Sequence, residues 1–393
     1  MIMIMSNVEE KPIYLDNHAS TQVDPRVVAV ILHTMTTGYG NPNSVDHVFG
    51  DMAAKMVVAA QCEVAKLIGG DPDGVHFTTG ASEAIQLAIA HAVSNRPHRD
   101  IPLRVALSAV EHRAVLDAIS LQEDNGNVVV TWLPVDNFAR LDLEALKSAC
   151  ASGIDLVCVM AANNEVGTLY PIEQIAQIAS SANASILIDA TQAAGHIPIF
   201  AVDWGITYLT VSGHKMYGPK GIGALVTLPN ISIRYSHGRL RSTGNGTPNV
   251  PGIVGLGEAC RLRQMEMIQD EPRIAAQRNH LEALLLSTIS GLEVNGDRSN
   301  RLSHNLHLSL PDVPNDAVLA RLRNRLAIST GAACTSAVDT PSHVLNAMGL
   351  AEELQNGAFR IGLGKFTTDD EIERAAGYFA AAVEDTRRAI AAI

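Results

Sequence analysis

The chain is poor in aromatic residues, which make up 4% of its 393 positions, and poor in positive charge. Lysine and arginine total 29 against 41 acidic residues, a formal charge of −12. Such a surface argues against direct nucleic-acid binding as the main activity. Five cysteines, Cys62, Cys150, Cys158, Cys260 and Cys334, are widely spaced, and none falls into a CxxC pair. A structural zinc site therefore has no support, and a chain of this size needs no disulfide staples. No stretch reaches the roughly 18 uncharged apolar residues of a membrane helix. The opening Met1-Ile-Met-Ile-Met5 lacks a basic flank and a cleavage motif. The expected compartment is a reducing cytoplasm, away from any membrane. The glycine patterns GxGxxG and GxxxxGK[ST] are both missing, which removes the commonest nucleotide loops.

What remains is a globular composition, 47% hydrophobic and 18% charged, long enough for two domains. Apolar runs at Arg104–Ser108, Val128–Trp132, Asp155–Met160, Ile186–Asp189, Tyr208–Val211 and Gly223–Thr227 read as strands. Helix-period segments lie between them, such as the stripe Val57, Ala60, Val64, Leu67 and Ile68. Alternation of this kind predicts an α/β fold on a mainly parallel sheet buried on both faces. After about residue 260 a long helical pattern carries Leu281, Leu284, Leu285 and Ile289. Strand-like alternation at Leu302–Leu310 follows, then a final helix with Ile372, Ala375, Ala376, Phe379 and Val383 in register, a smaller α+β unit.

Several polar groups stand where such a sheet would offer them to a ligand. Lys215 lies in the glycine-punctuated loop Ser212–Gly223 directly after a strand. A desolvated lysine there is able to form a Schiff base, although a surface loop with two solvated lysines explains the same pattern. Asp189 ends an apolar strand, at the edge where open α/β sheets bind ligands, and Gln192 follows three residues on. Pyridoxal phosphate needs such an acid beside its ring nitrogen, but a helix cap or turn would use an aspartate equally well. Phe77–Glu83 is a glycine turn entering a helix, with Ser82 placed as N-cap and free N–H groups able to cradle phosphate. Glu111-His112 and Asn163-Asn164-Glu165 also stand at strand ends. Cys334 sits among small residues in Ser329–Ser336, unlike the other four cysteines, which fall in apolar patterns. Arg360 is a lone cation in an apolar stretch, suited to a substrate carboxylate or to a structural salt bridge.

Taken together these motifs resemble the group I (NifS/IscS-like) cysteine desulfurases of the class V aminotransferase family. The resemblance covers nearly the whole chain. It rests on Tyr14–Thr21, Gly40–Ser44, Glu111–Leu116, Asn163–Glu165, Asp189–Gln192, Ser212–Lys215, the Cys334 loop and Pro341–Leu345. It implies the type I fold of pyridoxal phosphate enzymes, with a large domain over 16–260. A small domain would comprise 1–15 and 261–393 and carry the active-cysteine loop. Lys215 would hold pyridoxal 5'-phosphate as a Schiff base, and Asp189 would face the ring nitrogen. Gln192 and Asn164 would lie near the ring oxygen, and His112 would stack on the ring. Ala81, Ser82, Ser212 and His214 would bind the phosphate, joined by Thr247 from the partner of a homodimer.

The implied reaction converts L-cysteine to L-alanine. Arg360 would hold the substrate carboxylate and Cys334 would take the sulfur as a persulfide. An acceptor protein, such as an iron–sulfur scaffold or a thiolation enzyme, would receive it for iron–sulfur cluster assembly, tRNA thiolation or DNA phosphorothioation. The nearest alternative is a selenocysteine lyase or another lyase or transaminase of the same fold. A cysteine hydrolase built on Cys334 and His112 would leave Lys215 and Asp189 without a task. The run Ser236–Asn249 departs from the family pattern, having one glycine where three are usual, and this puts the role of Arg241 in question.

Overall fold

The structure, a computed structural model, describes residues 11–96, 98, 100–231, 233, 246–330 and 342–392. Cys334, Arg241 and most of the 236–249 run lie outside the described residues.

The strands are β1 (Ile13–Tyr14), β2 (Val75–Thr78), β3 (Leu103–Ser108), β4 (Val128–Leu133), β5 (Leu156–Met160), β6 (Ser185–Asp189), β7 (Tyr208–Ser212), β8 (Gly223–Thr227), β9 (Glu293–Val294), β10 (Asn305–Ser309), β11 (Leu326–Ala327) and β12 (Ala358–Gly362). The helices are α1 (Pro25–Thr36), α2 (Val48–Leu67), α3 (Ala81–Ser94), α4 (Arg113–Asp124), α5 (Leu143–Ala151), α6 (Ile172–Ser181), the 39-residue α7 (Val250–Thr288), α8 (Asn315–Leu322), α9 (His343–Ala347), α10 (Glu352–Asn356) and α11 (Asp369–Ala391).

Seven strands form one sheet in the order β2-β8-β7-β6-β5-β3-β4. From β7 through β4 all neighbours are parallel, while β8 runs antiparallel to both β7 and β2. Strands β5, β7 and β8 are buried along their whole length, as a sheet covered on both faces requires. The expected α/β class and mainly parallel sheet are therefore present. Sequence periodicity overlooked β2, a four-residue strand whose Val75, His76, Phe77 and Thr78 are all buried.

The chain leaves β3 for β4 on one side, then returns to place β5, β6 and β7 on the other. That reversal opens a crevice at the carboxyl ends of the strands. Gly223 permits a close approach at this edge, since a Cβ there would lie 2.6 Å from the Val211 carbonyl and 2.8 Å from the Gly80 carbonyl carbon.

A second apolar cluster joins Ile13 and Leu15 to Ile274, Leu281, Leu285, Leu306, Phe359, Phe379 and Val383. Its sheet has the order β12-β10-β9. Strand β10 lies within the alternating stretch 302–310, and all five of its residues are buried. Leu306 and Leu308 enter the apolar cluster, whereas Asn305, His307 and Ser309 find polar partners in His18 and Asn295. Helix α7 runs continuously past residue 260, so the change of texture there falls inside a helix.

Candidate active site

One cavity of about 550 Å3 opens at the carboxyl edge of the sheet. Parallel strands β3, β5, β6 and β7 each deliver a polar group to it. His112 follows β3, Asn164 follows β5, Asp189 ends β6 with Gln192 just beyond, and Ser212, His214 and Lys215 follow β7. Ala81 and Ser82 come from the first turn of α3, and Arg360 comes from β12. Thr247 is exposed and does not line this cavity.

Lys215 donates from Nζ to the carbonyls of His18 and Ala19, the latter at 3.1 Å. Asp189 Oδ1 accepts from the Thr191 amide and hydroxyl and from Thr210 Oγ1 at 3.0 Å. Three donors on one oxygen hold the carboxylate in place. Glu111 lies deeper, accepting the Met160 N–H at 2.6 Å. Burial pushes its carboxyl well up, and the negative Asp189 adds to the effect. Gln192 is gripped at both ends by His18, with Nε2 donating to the His18 carbonyl at 3.1 Å and Oε1 3.4 Å from Nδ1.

His112 caps α4, its Nδ1 accepting the Ala114 N–H at 3.1 Å, so the neutral ring carries its proton on Nε2. His214 is lowered to about 4, by burial first and then by the charges of Lys215 and Lys220. It is a neutral donor at neutral pH. Arg360 donates from Nη1 to the Asn164 carbonyl at 3.1 Å and approaches Asp16 Oδ1 with Nη2 at 3.4 Å. Its Nε and the Asn164 Oδ1 are buried without a partner. A salt bridge thus uses only part of this guanidinium.

The helix entry differs from expectation in one detail. Gly80, extended at φ 160°, is the N-cap, and Ser82 lies inside the first turn. Glu83 reaches back to accept the Thr79 N–H at 2.6 Å, and no side chain caps the first turn. The N–H groups of the first turn stay directed at the cavity mouth, as a phosphate requires.

His18 was overlooked as a site residue, although it lies within Tyr14–Thr21. It is fully buried, and its ring is held far below the ordinary histidine range by burial first, then by Arg360 and Lys215. The only signal in the sequence was a run of polar residues straight after a two-residue strand. Thr191 and Thr210, which orient Asp189, gave no signal at all.

The fold and this cavity define a pyridoxal-phosphate-dependent enzyme of the class V aminotransferases, and the chain belongs to that family. The family model (Aminotransferase class-V) matches residues 13–375. Among its relatives, the cysteine desulfurase IscS of Anaeromyxobacter dehalogenans (strain 2CP-C) is 39% identical over 381 residues, covering 96% of this chain and 93% of the relative. A solved NifS-like protein superposes with a TM-score of 0.86 at 30% identity, covering 95% of this chain and 99% of the other. A structure of SspA in complex with cysteine gives 0.77 at 29% identity, covering 90% and 99%.

The residues present fit the family's cofactor. Asp189 has an oxygen, Oδ2, left for a ring N–H once Oδ1 has taken its three donors. The α3 entry, Ser212 and neutral His214 offer donors to a phosphate, and Lys215 offers the amine.

Proposed function

We propose that this chain is a cysteine desulfurase that turns L-cysteine into L-alanine and takes the sulfur onto Cys334 as a persulfide. The observation that carries the reading is the convergence of Lys215, Asp189, Gln192, His112 and Arg360 on one cavity, in a chain resembling IscS along nearly its full length. In the balance of the reaction, the substrate C–S bond breaks and an S–S bond to Cys334 forms. Sulfur is oxidised to the sulfane level while the carbon is reduced to a methyl group, so no outside oxidant or reductant is consumed. The proton of the Cys334 thiol ends on that methyl group, and the substrate's thiol hydrogen stays with the transferred sulfur.

Pyridoxal phosphate supplies an electron sink for the substrate Cα. Lys215 anchors it and Asp189 keeps its ring nitrogen protonated. The α3 entry, Ser212 and His214 bind its phosphate. His112 carries a proton at Nε2 within the cavity. Gln192 and Asn164 orient the ring oxygen, and Arg360 binds the substrate carboxylate.

We place the large domain at 16–260 and the small domain at 1–15 and 261–393, the latter corresponding to the second apolar cluster. A homodimer is supported by the apolar surface of α1 and α2. Val28, Leu32, Met35, Tyr39, Val48, Phe49 and Met52 are all exposed, apolar side chains that a partner surface would cover. In that dimer Thr247 reaches the partner's phosphate site. The described cysteines are unbridged, in keeping with a cytoplasmic location. No helix among the described residues is long and apolar enough to cross a membrane. A sulfur-acceptor protein would take the persulfide.

The test is to incubate the cofactor-loaded protein with cysteine, assay alanine and weigh the Cys334 peptide. A gain of about 32 Da with matching alanine is expected, the mass of one added sulfur. Alanine without the adduct would leave a lyase that releases sulfur directly.

A further inference from the structure

Behind the cavity lies a set of buried groups that the proposed reaction does not use. His196, whose side chain is 2% exposed, places Nδ1 3.1 Å from Glu271 Oε1 and Nε2 3.2 Å from the main-chain carbonyl of Lys215. A carboxylate and a peptide carbonyl both accept and neither donates. A doubly protonated ring would donate to both.

The surroundings support a cation. Glu271 Oε1 also accepts from Arg263 Nη2 at 2.6 Å, and Arg263 Nη1 bonds Asp270 Oδ2 at 2.7 Å. With the His196 ring charged, two positive and two negative groups balance out of water, the condition under which buried charges persist. Glu271 also accepts the Ser303 hydroxyl. The titratable or charged groups round His196 are Glu271, Asp270 and Arg263 of α7, His304, His18, Lys215 and Tyr217. His304 lies 4.2 Å from the His196 ring centre and 4.5 Å from that of His18. Its Nδ1 is buried without a partner, and burial first, then His196, keeps it neutral.

His196, Glu271 and His304 also bring potential metal-ligand atoms within 4.8 Å of one another. The Arg263 guanidinium on the same Glu271 oxygen disfavours a metal there, since it occupies that oxygen and adds a repelling charge.

We propose that His196 is a positioning residue for the cofactor lysine, a buried imidazolium that pins the Lys215 backbone to Glu271 of α7. Lys215 must release and recapture the cofactor in each cycle, which this pin makes repeatable by fixing where its side chain starts. The inference rests on the reading of Lys215 given above.

The test compares H196Q and H196K in the cofactor-loaded enzyme. In H196Q the visible cofactor band forms at full amplitude. Removal of a positive charge favours a protonated Schiff base, so the pH midpoint of the band moves upward. The kcat for alanine formation falls about tenfold or more, as misplacement of a reacting group does, while KM for cysteine is unchanged. H196K offers ammonium donors to both acceptors and restores the midpoint and kcat. Equal behaviour of the two variants, or no change in either, overturns the proposal.

Should H196Q fail to fold, 15N spectra of histidine-labelled wild-type holoenzyme at pH 8 read the ring directly. Two protonated nitrogens at His196 are expected, and a neutral tautomer overturns the proposal. Stoichiometric zinc in the purified enzyme would also overturn it. K215A separates the two readings. A cofactor band that survives in K215A removes the lysine assignment, whatever the His196 variants do.

Discussion

The carbonyl oxygen of His18 accepts a hydrogen bond from the Lys215 ammonium, linking two residues 197 positions apart in sequence. The same oxygen accepts from Gln192 Nε2. One peptide group therefore orients both the amine that is proposed to hold the cofactor and the amide proposed to face its ring. Changes to the His18 segment should disturb both at once.

Lys215→Ala should abolish alanine formation and the visible band of the bound cofactor. Absorbance spectra of the reconstituted variant, with an alanine assay, check this.

Cys334→Ser should keep the cofactor band and lose both alanine turnover and the persulfide. Peptide mass spectrometry after exposure to cysteine is the check. Desulfuration at the wild-type rate would remove Cys334 from the reaction.

Arg360→Ala should raise KM for cysteine by roughly 10- to 100-fold, the scale of about 1.5–3 kcal/mol for a hydrogen bond to a charged group. Arg360→Lys should recover only part of this, because an ammonium cannot make the bidentate fork. Steady-state kinetics at saturating cofactor give the answer.

Asp189→Asn should still bind the cofactor while kcat falls by about 100-fold or more, as for a lost preorganised electrostatic partner. Thr191 and Thr210 retain an acceptor in the amide oxygen, so the fold should survive, which circular dichroism can confirm.

Acid should destabilise the protein below about pH 6.5, where free histidine begins to take up protons. His18 and His304 are held well below that value by burial, and His307 is lowered to about 3 by burial and then Arg360. A histidine depressed in the folded state contributes stability above its unfolded value and loses it as pH falls, because only the unfolded chain binds the proton. For His307 alone the slope approaches about 1.4 kcal/mol per pH unit. Urea unfolding between pH 7.5 and 5 measures it.

Much of this site was legible because ligand groups of an open α/β sheet cluster where apolar strands end. Asp189 ends the buried strand β6 and Lys215 follows the buried strand β7, and both line the cavity. The α3 entry was placed two residues late, because Gly80 rather than Ser82 is the N-cap. His18, Thr191 and Thr210 were invisible since their importance is relational. Nothing in a threonine's neighbours along the chain says that it faces a particular carboxylate. The buried polar side of β10 gave no signal for a similar reason, as His307 Nδ1 and Asn305 Nδ2 meet Asn295 and His18 from distant segments.

The clasp between the first and last parts of the chain has a consequence for synthesis. Strand β1 pairs with β11, Asn17 donates to the Gly362 carbonyl at 2.9 Å, and Gly362 and Gly364 leave room for His18 and Asn17 to lie against them. While the chain emerges from the ribosome, the His18 segment must wait for almost the entire remainder before its partners exist. Contacts of such long sequence separation form late and slowly. No nascent or truncated fragment ending before Arg360 holds a finished cavity, so a half-made chain cannot begin drawing sulfur from cysteine.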